Sequence, residues 1–572
     1  MKYQGETQGN GSVVVLIHDT TEVALNTLDS AILAALRHFG IPFQVQMVEP
    51  GIAMDSLGQY IASHAAVLVP QSGTFSRISE AFSQQLRHAV AKGLGLICYE
   101  PEIAGLPTWL QNLVCDSSQP IGKSSFSVMA TCSNNHFITW TRETGERVRS
   151  DLPLALGTGL GKHVPLLVSE QGEDLMAYAV SGEGRVVVFP FDAAFFTLPF
   201  LGHACGADDV FTRSIIWAAR KPFLTWSMPA FAGLVVDDCS GSYDHFGYHK
   251  VMKEFGWSPY LSLFTETIDE VAHEDIHKTA RVLHDGQVEG TLDINFHALR
   301  YNDSFCFNHL ERRSLTTDEL TLRFAQWDRY EKLWGVRHGV WAHPHFGEIG
   351  SNAIPYFLER GIGFLTYLLP FDAAWFDVPA KIDPVAPQPP FGHPGYYMVP
   401  HQDYPSLQLC NCVLDRKSRT SSDYVVQTDY LWGHTPFWSE APQPMLKESA
   451  QTLAAQIRRG IDSGFYGEGA THEQRIACLR EGEFREIFQE THRLLSRYNL
   501  RQCNLNEILP YMGKHRNSCL TVMDINRKTN SAHFAFSNES AVGTELQWYD
   551  NEQDDVCLSL FTVAGGNGTL TN

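Results

Sequence analysis

The sequence predicts an α/β multidomain protein, and three features predict it. Apolar strand-like runs alternate with helical patterns through residues 1–225. A second strand–helix alternation begins near Pro229 and continues to about Leu509. Residues 516–572 hold only short alternating strands.

In the first segment, Val13-Val14-Val15-Leu16-Ile17 is continuously apolar, as a parallel strand covered on both faces must be. A helical pattern follows from about Val23 to Phe39 and stops at Gly40. Phe43-Gln44-Val45-Gln46-Met47 alternates as a strand, and Ala66-Val67-Leu68-Val69 is another buried run. A helix from about Ser76 to Lys92 leads into Gly95-Leu96-Ile97-Cys98-Tyr99. This rhythm implies a doubly wound, flavodoxin-like sheet. Arg185-Val186-Val187-Val188-Phe189, after Gly182-Glu183-Gly184, reads as the return strand of a hairpin, and a helix from about Asp208 to Arg220 closes the unit. The second unit, 226–515, opens on Phe231-Ala232-Gly233-Leu234-Val235-Val236. Within it, 369–445 departs from the alternation and is rich in Pro, Tyr, Trp and His. A loop of that length is usually functional. The tail is expected to form a small β-sandwich accessory module.

Composition bounds the function. The 572 residues are 44% hydrophobic and 12% aromatic, enough for large packed cores. A net charge of −21, with no Lys/Arg run, argues against nucleic acid. A neutral or cationic sugar polymer fits better. The twelve cysteines are scattered, Cys410 and Cys412 forming the only close pair, so neither a zinc knuckle nor a disulfide framework is expected. Cys98, Cys478 and Cys519 lie in apolar surroundings and read as buried thiols in a reducing compartment. No apolar stretch is long enough to span a membrane, and no export signal opens the chain. A cytoplasmic protein is expected, or an extracellular or periplasmic one if a signal has been removed.

Four strand ends carry the chemistry. The first is Val235-Val236-Asp237-Asp238. Neighbouring side chains on a strand point to opposite faces, so both carboxylates serve one site only if the strand breaks; Cys239-Ser240-Gly241-Ser242 supplies a break. The second is Asp293-Ile294-Asn295-Phe296-His297, with Asp303 and His309 soon after. Imidazole and carboxylate at such ends suit zinc or a similar divalent ion. The third is Trp341-Ala342-His343-Pro344-His345-Phe346-Gly347-Glu348, and the fourth Gly469-Ala470-Thr471-His472-Glu473.

In this order the four resemble the motifs of the polysaccharide-deacetylase (NodB-homology) family, over about half of the chain. The resemblance implies a distorted (β/α) barrel of seven strands and one bound divalent ion, zinc the first expectation. It makes Asp237 the catalytic base, and Asp238 and His297 metal ligands. Four residues after His297 stands Tyr301, so the third ligand falls to Asp303 or His309. His472 becomes the general acid, with Glu473 adjacent to keep it protonated, and His343 and His345 line the substrate. The implied reaction removes N-acetyl groups from an amino-sugar oligo- or polysaccharide. The ion polarises the acetyl carbonyl and lowers the pKa of its water to roughly 7, a carboxylate takes the proton, and an acid protonates the leaving amine. Trp432, with Trp375, Tyr396, Tyr397 and Trp438, is expected to wall the cleft.

Residues 1–225 resemble the class I glutamine-amidotransferase-like fold in its trehalose-utilisation-like branch. The phrase from Gly184 to Asp192 and the helix ending Trp217-Ala218-Ala219-Arg220 carry that resemblance. Cys98 is followed by Tyr99-Glu100-Pro101, without the glycine of a nucleophile elbow, so no amidotransfer is expected. Two other readings stay open: a glycoside hydrolase pairing Asp237 with Glu348 or Glu468, and a sugar-binding protein without catalysis.

Overall fold

The computed structural model describes the chain apart from residues 1–5, 49–53, 134, 198–206, 242–243, 272–274, 309, 312, 346–348, 367–373, 376–377, 380–397, 402, 411–444, 538–543, 553–554, 564–566 and 572. It is a mixed α/β, multidomain structure with two compact units. One combines Met1–Met228 with Lys514–Asn572, and the other takes in the described residues of 229–513. No helix among the described residues is long and apolar enough to cross a membrane.

The first unit is built on a six-stranded sheet. Its order is Phe43–Met47, Val13–Ile17, Ala66–Val69, Gly95–Tyr99, Gly184–Phe189 and Ala177–Ser181. The first five strands are parallel and the last closes an antiparallel hairpin. This is the flavodoxin-type order. Strand alternation divides the core: Val13, Val15 and Ile17 pack on one face, and Val14 and Leu16 on the other. Between Val13–Ile17 and Phe43–Met47 the chain is helical over Glu22–Thr27, Leu28–Leu33 (a π segment) and Ala34–His38. Gly40 then takes φ +62, and a Cβ there would strike the Trp226 carbonyl.

The tail is not a free-standing sandwich. Thr544–Glu552 pairs on one side with Asp555–Val563 and on the other with Phe223–Ser227, a strand from far upstream. Cys519–Asn526, Ser531–Ser537 and Asn567–Thr571 form a second sheet. Leu224 and Trp226 share one core with Leu520, Phe534, Leu546 and Trp548. The tail strands therefore bury their apolar faces partly on residues that precede 228. Of the cysteines expected to be buried, Cys98 is; Cys519 is half-buried, and Cys478, in the turn after a short helix, is exposed.

The second unit places Ala230–Cys239 between Gly467–His472 and Tyr260–Phe264, with Asp293–Ala298 beyond, all parallel. Trp341–Ala342, Phe364–Thr366 and Gln408–Cys410 form a second parallel run. The Asn295 side chain links the two runs by donating to the Trp341 carbonyl. Among the described residues no ladder joins Gln408–Cys410 to Gly467–His472, so the two runs belong to separate sheets. Helix Thr317–Trp334 packs Leu320, Phe324 and Trp327 into the core of this unit; Thr316 and Glu319 form its capping box and Gly335 ends it.

His515 gives this architecture a pH signature. Its ring stacks on Trp226 at 4.1 Å, and burial, with His38 nearby, pushes its pKa down to about 3. An imidazole in the unfolded chain titrates near 6.5. The stability from neutral His515 is therefore full above about 6.5 and is lost as the pH falls from there towards about 3. His515→Phe keeps a stacked ring without the proton site. Thermal unfolding from pH 7 to pH 4 should lower the wild-type midpoint more than that of His515→Phe. Parallel profiles would remove His515 from the acid sensitivity.

Candidate metal centre

The site begins with a break in register. Along Ala230–Cys239, Val235 and Val236 pair with Tyr260 and Leu261, but Cys239 pairs with Leu263. One extra residue is therefore accommodated, and Asp238 takes it up with φ +52. This left-handed turn within the strand brings Asp237 and Asp238 to one cluster. The break expected at Cys239-Ser240-Gly241 starts one residue earlier. Glu473 pins the chain just beyond the turn: its carboxylate accepts from Ser240 N (2.5 Å), Gly241 N (2.9 Å) and Ser240 Oγ (3.1 Å). Gln474 Nε2 donates to Asp238 Oδ2 at 3.4 Å.

Two strands away, Asp293–Ala298 has the same irregularity. Leu263 pairs with Phe296 and Phe264 with Ala298, leaving His297 as the extra residue. His297 Nε2 lies 3.2 Å from Asp237 Oδ1 and 3.6 Å from Asp238 Oδ1. Its Nδ1 is 2.7 Å from the His343 carbonyl, which fixes that nitrogen as the donor. His345 is arranged alike, with Nδ1 2.6 Å from the Asp303 carbonyl and Nε2 3.5 Å from Asp238 Oδ1. Orienting an imidazole through its far N–H is how metal-binding histidines are held. His343 Nε2 lies 3.6 Å from Asp237 Oδ2, and His472 Nε2 lies 3.8 Å from Asp238 Oδ2. Three sets have donor atoms mutually within 4.8 Å: Asp238 with His297 and His345; Asp237 with His297 and His343; and Asp237 with Asp238 and His472.

Charge sharpens the picture. Burial alone would raise Asp237, but His297, His343, His472 and His345 hold its carboxyl well below the usual range. Burial raises Asp238 against the pull of His472, and the Asp237 charge adds to the rise. Burial lowers His297 and takes His343 down to about 3. Asp237 Oδ1, Asp238 Oδ1 and His297 Nε2 are buried without a hydrogen-bond partner among the described residues. Three lone-pair atoms aimed at one another, with no donor between them, fit a cation.

The expected ligand set changes in one place. Asp303 turns its carboxylate to Arg323, which binds it through both terminal nitrogens, and only its backbone carbonyl serves the site. His345, expected against substrate, joins Asp238 and His297 in one of the groups whose donor atoms converge. His309 and Trp432, like Glu348 and most of 369–445, lie outside the described residues. One Glu473 carboxylate oxygen is given to Ser240 and Gly241. Glu468 pairs in register with Gly233 while His472 pairs with Asp237. Four residues of strand separate Glu468 from that end by about 13 Å, and the Tyr260 hydroxyl holds it. That is too far for the carboxylate pair of a glycosidase. Sequence reasoning gave no role to Tyr301, which is 58% exposed with its ring 6.0 Å from that of His345.

Glu473 offers a test of the pinned turn. Glu473→Ala orphans two backbone N–H groups and frees Asp238, so zinc affinity should fall about 10–100-fold. Glu473→Gln keeps an acceptor oxygen and should recover most of it. Equal affinities in titrations of all three proteins would show that the turn does not organise the centre.

No known family profile matches the chain, and no curated protein matches it. Among solved structures, it is similar to a polysaccharide-deacetylase-type protein from Mycobacterium smegmatis, at 12% identity and TM-score 0.32, over 50% of this chain and 95% of that one. It is similar to a ThuA-like protein from Parabacteroides merdae, at 15% identity and TM-score 0.24, over 37% and 90%. It also aligns with a cold-adapted β-galactosidase from a Rahnella species, at 11% identity and TM-score 0.24, over 36% of this chain and 31% of that one.

Proposed function

We propose that the second unit is a metal-dependent hydrolase that removes N-acetyl groups from an amino-sugar glycan, on a barrel-like arrangement of its parallel strands. The observation that carries this reading is the convergence of Asp238, His297 and His345 beside a second carboxylate, Asp237, and a further imidazole, His472.

Asp238, His297 and His345 would hold a divalent ion, zinc by preference for two imidazoles and a carboxylate. When bound, it supplies Lewis-acid polarisation of the acetyl carbonyl. The protein residues do the rest. Asp237, kept ionised by its imidazole neighbours, takes the proton from the attacking water. His343, 3.6 Å from Asp237 Oδ2, steers that carboxylate. His472 lies on the other side of Asp238 and delivers a proton to the leaving amine, which an amide nitrogen needs before it can depart. The aromatic segment 369–445 is assigned to the substrate cleft on its composition alone.

The test joins metal analysis to acetate release from an N-acetylated chitooligosaccharide. The wild type should bind one zinc per chain and release acetate. Asp237→Asn should keep the metal and lose turnover by roughly 10²–10⁴-fold. An Asp238→Ala, His297→Ala double variant should lose both. Full metal occupancy in that double variant, or normal acetate release by Asp237→Asn, would sink the assignment.

A further inference from the structure

The first unit holds a cavity of about 950 Å³, lined by Lys92, Arg185, Arg220, Lys221 and Arg527 and, on the acidic side, by Glu183. A local excess of cations is unexpected in a chain of net charge −21. No basic run foreshadows it, because the side chains come from separate stretches of sequence.

Part of this charge has internal work. Helices Met54–Ala62, Glu80–Ala91 and Asp208–Ala218 end here, and helix C-termini present carbonyls that attract cations. Lys221 Nζ donates to the carbonyls of Ile216 (2.5 Å) and Ala219 (2.6 Å). Arg220 donates through Nη1 to Ala62 O at 3.0 Å and through Nη2 to Lys92 O at 3.4 Å. Arg185 Nη1 reaches Trp217 O at 3.0 Å.

The remainder is unspent. Arg220 Nε and both Nε and Nη2 of Arg527 are buried with no hydrogen-bond partner among the described residues. Burial lowers the pKa of Arg527 to about 10, and the Arg220 guanidinium beside it contributes. Two guanidiniums that disfavour each other's charge, with N–H groups directed at no acceptor, are costly unless an anion joins them. The carboxylates nearby bond to none of these atoms: Glu183 is exposed and acts on Arg220 only through space, and Asp524 Oδ1 accepts from Asn10 N at 3.2 Å.

We infer that this cavity binds the phosphate group of a small molecule between Arg220 and Arg527. Planar forks of N–H donors match phosphate oxygens, and the volume leaves room for an organic part of nucleotide or sugar size.

Calorimetric titration of the full chain with inorganic phosphate and with AMP, at ionic strength matched by sodium chloride, tests this. Binding of either, weakened at least tenfold in Arg527→Gln, is the expected result. Tighter binding of AMP than of phosphate would identify an organic monoester as the occupant; equal binding would identify phosphate itself. The buried Nε and Nη2 of Arg527 hold no carbonyl among the described residues, so the substitution should leave the fold intact, and an unchanged thermal midpoint verifies that. Arg220→Gln should weaken binding as well, at a lower midpoint. No heat at about 10 mM of either probe, where a millimolar site would be filled, overturns the inference. So does binding that Arg527→Gln leaves unchanged.

Discussion

Consecutive residues of an extended strand face opposite ways, so Asp237 and Asp238 can address one cluster of imidazoles only because the chain leaves the β region at Asp238. A non-glycine residue in the left-handed region costs about 1–2 kcal/mol. The Glu473 carboxylate offsets that cost by accepting from two successive backbone N–H groups just beyond the turn. Bonds of this charge-assisted kind contribute about 1.5–3 kcal/mol each. Strand Gly467–His472 runs directly into Glu473, so the residue that holds the turn is next to His472, which faces Asp238. The bulge at His297, two strands away, completes the convergence.

That convergence creates an electrostatic problem that the side chains alone do not solve. The buried Asp238, the half-buried Asp237 and a set of largely buried imidazoles share one end of the strands, and their donor atoms face one another. Protonating the imidazoles is opposed by burial, and ionising both carboxylates is opposed by their proximity. A divalent cation relieves both oppositions at once. The first unit presents the converse case, where two guanidiniums meet at one cavity.

The sequence was informative where structure is local. The run Val13–Ile17 could only be a strand covered on both faces, and the periodic helices and the four polar strand ends stand where their patterns put them. It was silent where structure depends on distant pairing. Nothing in Phe223–Ser227 reveals that Thr544–Glu552 will lie beside it. The proposed third ligand illustrates the same limit. Asp303 and His345 are equally plausible as letters, and the choice is made by Arg323, which claims the Asp303 carboxylate, while the Asp303 carbonyl orients His345. Arg220 and Arg527 are likewise ordinary surface residues until the fold brings them to one cavity.

The central claim is that one cation belongs between Asp238, His297 and His345. Anomalous diffraction at the zinc edge, on crystals of the full chain grown with zinc, tests it most directly. The predicted result is a peak in contact with Nε2 of His297, Nε2 of His345 and a carboxylate oxygen of Asp238. A peak at Asp303, or a well-ordered site with no peak at all, would contradict it.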